Sequence, residues 1–321
     1  MYKFFYKFIS LLAIIIFGLT SNGLSAQYDV NTNKWFTNLQ DALGEADRVY
    51  KLDLSGQGLT EIPSEISSFT NLVELRIGDN LINSIGTELS ENSRLEYLDL
   101  SGNLIKSIDF NNLSENALNL KYLVLRENSL TEIDASINKL KFLSHLDLGG
   151  NFIKNLDDEI LLRFLKVLIL DNNNLADVPP MAINAPKLTT LNLNANNIEI
   201  FDVRVFPSLT ALDLGDNPLK KYNITISKLE KLILDWVDFN ELELYPIPLT
   251  MEILSLEHCN LTAVPAFIYD LYQLEELSIM HNEIVSLDPQ LSECKKLKLL
   301  WVKGNKLDEE IDVSKFSFDI K

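Results

Sequence analysis

Cysteine is nearly absent from this chain: two residues in 321 allow at most one disulfide, so nothing here resembles a stapled scaffold. Cations are scarce as well, with 28 Lys and Arg against 46 Asp and Glu, a net charge of −18. Setting aside Lys3 and Lys7 of the leading segment leaves 26 against 46, or −20, which makes nucleic acid and anionic membrane surfaces poor partner candidates, and no nucleic-acid partner is expected. Long apolar runs are also lacking. The run Phe8 to Leu19 is short for a membrane span and no second one follows, so no integral membrane segment is expected once it is removed. No G-x-S-x-G elbow, phosphate-binding glycine loop or H-E-x-x-H helix is present, and neither cysteine is placed as a nucleophile. The chain therefore reads as a non-enzyme with no implied cofactor, resident metal or catalytic residue.

What it does contain is one pattern, L-x-x-L-x-L-x-x-N-x-L, twelve times. The units begin at Val49, Leu72, Leu95, Leu120, Leu143, Leu165, Leu188, Leu209, Leu229, Met251, Leu274 and Leu297, at intervals of 20 to 25 residues. In the unit from Leu95, Leu98 and Leu100 alternate as on a short strand with one buried face. Asn103 occupies the turn out of the strand, where its amide can satisfy unpaired backbone groups. Ile105 and Ile108 return to the core. No unit buries its apolar face alone, so the array needs stacked neighbours and capped ends.

Residues 1–26 read as an export signal: Lys3 and Lys7, the apolar run, then Leu24-Ser25-Ala26 before Gln27. Residues 27–48 read as an N-terminal helical cap. Thr37-Asn38-Leu39-Gln40 is a capping box, and Leu39, Ala42, Leu43 and Ala46 share one helical face. The repeat array is expected over 49–310. Residues 311–321 form a C-terminal cap segment in which Phe316, Phe318 and Ile320 alternate with polar residues.

The units resemble the leucine-rich repeat family over residues 49 to 307, and Ile62-Pro63, Val178-Pro179 and Val264-Pro265 carry the step seen in its 23-residue variety. The stretch from Asn38 to Pro63 is similar to the cap and first repeat of exported bacterial members. The resemblance implies an α/β repeat fold: a curved leucine-rich repeat solenoid with parallel strands on the concave face and irregular or short helical segments on the convex side. It also implies protein binding, in a chain that is periplasmic, on the cell surface or extracellular. Departures fall in unit nine, with Val237 in place of the Asn, and in unit ten, with Cys259, a substitution the family carries in its Asn ladder. A weaker ladder and a change of curvature are expected between Leu209 and Met251. Cys294 falls where other units place a core hydrophobe, so both cysteines read as buried and unbridged.

Counting the first residue of each unit as position 1, positions 3, 5, 7, 8 and 10 project toward the concave face or its rim. Acidic residues outnumber basic ones there by fourteen to six. Such a face would steer a cationic partner, less so at high salt. Two apolar groups interrupt it. The first comprises Tyr97, Tyr122, Val124, Val167 and Ile169, with His145 among them; the second is Ile233, Trp236, Ile253, Met280, Leu299 and Trp301. Aromatic and aliphatic side chains amid charges suit a hot spot, and the second group is favoured. His258 and His281 fall at position 8 of consecutive units beside Trp236, near Asp235 and Glu257. Metal binding and pH sensing are the specific readings of that pair and an ordinary interface histidine the plain one. The expected function is a monomeric binding module for a protein or peptide, basic or in part apolar. The alternatives are a structural protein of the envelope or matrix and a glycan-binding adhesin.

Overall fold

The computed structural model describes residues 34–112, 119–202, 206–223, 228–239, 242, 247–308 and 317–321. The expected export signal, with Tyr28 and Phe316, lies outside these residues. Twelve three-residue strands, from Lys51–Asp53 in unit one to Leu299–Trp301 in unit twelve, pair parallel and in register. Trp35–Phe36 adds to the first and Asp319–Ile320 to the last, giving one fourteen-stranded sheet. The central residue of each repeat strand is leucine, and none is more than 3% exposed. Fully burying one such side chain contributes roughly 1.5–3 kcal/mol, and the stack multiplies that gain along a continuous core. Three-residue strands have no stability of their own; each is held by the strand on either side.

The asparagines tie unit to unit. Asn151 donates through Nδ2 to Leu125 O of the preceding unit at 3.0 Å and to its own Leu148 O and Gly149 O at 2.9 and 3.2 Å. Its Oδ1 accepts from Leu130 N at 3.1 Å. The same pattern recurs at Asn103, Asn128, Asn173, Asn196, Asn217 and Asn282. It stops where the sequence departs. Val237 is fully buried without a polar atom, and Leu219 N turns back to Asn217 O at 2.8 Å. In unit ten Cys259 Sγ donates to Leu234 O at 3.1 Å and Glu257 O at 3.3 Å, a thinner substitute. Strand pairing passes through units eight to ten without a break. Both cysteines are buried and unbridged.

On the return path the chain makes short 3-10 turns such as Ser64–Ser68 and Ala266–Asp270, and a short helix, Pro180–Ile183. A second, two-stranded parallel sheet, unanticipated from sequence, joins Ile200–Asp202 to Lys221–Asn223 in the two shortest units. At the N-terminal end the helix is Leu39–Leu43, with Ala42 buried and Leu39 and Leu43 packed against the core. Its cap is Asn38, whose Oδ1 accepts from Gln40 N and Asp41 N, rather than Thr37 of the expected box. Thr37 precedes the cap because Trp35–Phe36 is already strand and the chain turns one residue later.

One backbone feature recurs in all twelve units. Position 8 has positive φ: Gly56, Asp79, Gly102, Glu127, Gly150, Asn172, Ala195, Asp216, Trp236, His258, His281 and Gly304. The left-handed residue reverses the chain after the strand, so that position 9 points its amide inward. Its own N–H bonds the next unit's position 7, as from Trp236 N to Glu257 O at 2.8 Å. Glycine, Asn and Asp tolerate this region, whereas bulky side chains adopt it at a cost.

Candidate binding face

The strand residues flanking the central leucines face away from the core, and the structure separates the two sequence-picked groups. In the N-terminal group Val167 and Ile169 are only 5% and 3% exposed, because neighbouring strands close over them, and Tyr97 is also buried. What remains is a column of rings. Tyr97 lies 6.1 Å from Tyr122, which stacks on His145 at 4.4 Å, while Val124 is half-buried. Arg76 caps the column, its guanidinium 5.7 Å from the Tyr97 ring and 4.5 Å from Trp35. Burial pushes the His145 imidazole down to about 4, so it is neutral at physiological pH. Three acidic residues here have cationic partners. Glu74 meets Arg76 at 2.8 Å and Lys51 at 3.6 Å, and Arg126 spans Asp147 and Asp171 over Gly149, where a Cβ would collide with the guanidinium.

The C-terminal group is built differently. Trp236, His258 and His281 occupy position 8 of units nine, ten and eleven, and their rings form a parallel stack. Trp236 to His258 is 3.8 Å at 8°, and His258 to His281 is 4.5 Å at 10°. The next rung is Gly304, and a Cβ there would overlap the His281 ring. Trp236 is 51% exposed and His281 is exposed. Ile233, Ile253, Met280, Leu299 and Trp301 are half-buried on the adjoining sheet surface. The Trp301 indole Nε1 is hidden and has no hydrogen-bond acceptor among the described residues.

Behind the stack lies a row of carboxylates. Asp235 accepts from Ser255 Oγ at 2.6 Å and Glu257 N at 2.8 Å; Glu257 accepts from Ser278 Oγ at 2.5 Å. Asp213, one unit earlier, accepts from Gly215 N at 3.0 Å. Burial is the main cause that pushes Asp235 up to about 8, with Glu257 adding to it, and Asp213 up to about 7. Glu257 moves upward for the same reason, while burial and then the neighbouring His281 move His258 down. Among the described residues none of these three carboxylates has a salt bridge to Lys or Arg, in contrast to the N-terminal half. No group of three or more His, Cys, Asp or Glu among those residues could hold a metal ion.

Sequence reasoning paired Trp236 with the histidines but missed the backbone that aligns them. The signal was available: position 8 is Gly, Asp or Asn in seven of twelve units, the composition of a left-handed turn. It also missed exposed apolar side chains at position 10, namely Leu81, Leu104 and Phe152, and on the opposite rim, Phe142 and Phe164.

Comparison with known proteins agrees with this architecture. A family model described as Leucine rich repeat matches residues 47–105 and 163–219. Mouse keratocan is 30% identical over 146 residues, 43% of this chain and 41% of keratocan; an adenylate cyclase of Mycosarcoma maydis matches over only 4% of its length. The chain thus spans less than half of these curated relatives. An internalin of Listeria monocytogenes superposes with TM-score 0.64 at 21% identity, covering 88% of this chain and 91% of the internalin. A plant peptide hormone receptor, RGFR1 in complex with RGF2, superposes with TM-score 0.57 at 24% identity over 83% of this chain and 45% of the receptor. Arrays of this kind generally serve as interaction scaffolds without enzymatic activity. Among the described residues no helix is long and apolar enough to cross a membrane. With twelve units, a shared strand register and an asparagine ladder, the chain has the leucine-rich repeat fold, and the Leucine rich repeat family model matches it over two stretches.

Proposed function

We propose that this chain is an exported, monomeric, non-enzymatic module that binds a protein or peptide through the C-terminal half of its acidic concave face. In this reading residues 1–26 are removed on export, and 27–48 and 311–321 cap the array. The observation that carries it is the ring stack. Trp236 and two histidines stand in a left-handed backbone that disfavours bulky side chains, and the first and last of the three rings are exposed. A fold that only needed the turn would be served by glycine, as at four other units. Strain kept at an exposed aromatic cluster is characteristic of a working surface. The similarity to a receptor solved with RGF2 adds support for a peptide or protein partner.

The test is affinity capture from the source's surroundings with the chain and with a Trp236→Asn, Trp301→Ala double variant of verified fold. Asn suits the left-handed position, so the first change removes the ring without adding backbone strain. A partner held by the parent and lost by the variant is the expected result. Equal retention by both would move the site off this face, and recovery of the protein alone, through its ends, would favour a structural role.

A further inference from the structure

The rungs along position 8 run Asp216, Trp236, His258, His281, Gly304, so the two faces of the indole meet different surroundings. One is covered by His258 at 3.8 Å. On the other side no ring or cation among the described residues covers it, and the neighbouring rung is the exposed carboxylate of Asp216. Position 7 of that unit is Gly215, where the Asn194 amide and the Asp235 backbone take the place of a side chain. A flat π-surface open on one side and edged by a carboxylate is a receptor for a flat cation.

The charge behind it points the same way. Asp213 and Asp235 sit at strand and turn positions of units eight and nine, with Glu257 following in unit ten, and serine hydroxyls and backbone N–H groups satisfy part of each. In the N-terminal half of the same face Arg76 meets Glu74 and Arg126 meets Asp147 and Asp171, whereas this half has no equivalent guanidinium among the described residues. Resting on the binding face proposed above, we infer that the open face of Trp236 is a subsite for an arginine side chain of the partner. The guanidinium stacks on the indole opposite His258 and Asp216 takes its N–H groups, while Asp213 and Asp235 add negative field as pH rises through 7 to 8. The partner chemistry is therefore an arginine-bearing segment of a protein or peptide.

The test titrates the full chain, with 15N-labelled tryptophan, with the peptide acetyl-Gly-Arg-Gly-amide and with its citrulline counterpart, which keeps the shape and drops the charge. The Trp236 indole signal is assigned by its loss in Trp236→Asn. The arginine peptide should shift that signal saturably, with Kd on the order of 1 mM. Binding should weaken several-fold on raising salt and again in Asp216→Asn, a substitution that suits the left-handed backbone and leaves the fold in place. The citrulline peptide should leave the signal unmoved. Equal shifts with both peptides, or none with arginine at ~20 mM, overturn the subsite. If the arginine peptide fails while capture of the partner still depends on Trp236 and Trp301, the binding face stands and only its cation preference is wrong. If arginine binds and capture ignores both tryptophans, the subsite stands and the face proposed for the partner does not.

Discussion

Trp236 has φ of +63°, and that one angle separates what the residue costs from what it contributes. A left-handed conformation disfavours any side chain with a Cβ, and replacing tryptophan by alanine keeps that penalty while losing the stack on His258. Glycine loses the stack but relieves the backbone. Thermal or urea unfolding should therefore find Trp236→Gly more stable than Trp236→Ala by about 0.5–1 kcal/mol, the reverse of the order in a helix or strand. An alanine variant as stable as the glycine variant would mean that residue 236 is not held left-handed. At this scale the sequence was half legible. The spacing placed Trp236, His258 and His281 together, because they share a position in consecutive units. Their ring-on-ring order depends on φ at position 8, which single residue types do not announce when they break the Gly, Asp and Asn preference. Val167 and Ile169 misled for a related reason: position 3 and 5 residues point off the core side, yet neighbouring strands packed tightly enough to bury them.

At the level of the repeat, the asparagine is worth more than its own bonds, since one amide serves backbone groups of two units. Asn151→Ala leaves Leu125 O, Leu148 O, Gly149 O and Leu130 N without that side chain in a buried turn. The expected loss is about 2–4 kcal/mol, against about 1 kcal/mol for Cys259→Ala, whose thiol makes two weak bonds. Chemical denaturation of both variants checks the difference, and equal losses would contradict the ladder's role. The break at Val237 was readable from sequence because the pattern names its own exception. The small sheet of Ile200–Asp202 and Lys221–Asn223 was not, since it forms on the return path where the repeat has no fixed residue types.

The same units carry a pH signature. Asp213 and Asp235 have carboxyl groups pushed up to about 7 and about 8 in the folded chain, above the ordinary aspartate value of 3.8. Between the unfolded and folded values the native state binds more protons than the unfolded one, so stability falls as pH rises. Their contribution is fully present below about pH 4 and is lost through pH 7 to 8. An Asp213→Asn, Asp235→Asn variant should show a flatter decline in melting temperature across that range than the parent. An unchanged slope would mean these carboxylates are ionised throughout. The neutral amides should also weaken any cationic ligand at high pH, which ties the stability of these strands to the charge they present.

Across the whole molecule, the periodicity of the sequence dictates one continuous core and one long sheet, and the fourteen parallel strands follow from it. Fold was therefore the most legible property, carried by leucine spacing alone. Partner identity was the least, because the concave surface is written in positions the core leaves free to vary. Even so, the two halves of that surface differ in a way charge counting missed: one is closed by its own arginines and ring column, the other keeps Asp213, Asp235 and Glu257 without a salt bridge to Lys or Arg among the described residues, beside an exposed indole. A photo-cross-linking side chain tests that division directly. Placed at exposed Glu283 on the C-terminal concave rim, it should form an adduct with the captured partner, and placed at exposed Tyr272, on the return path, it should not. Adducts from Tyr272 with none from Glu283 would contradict the proposed binding face.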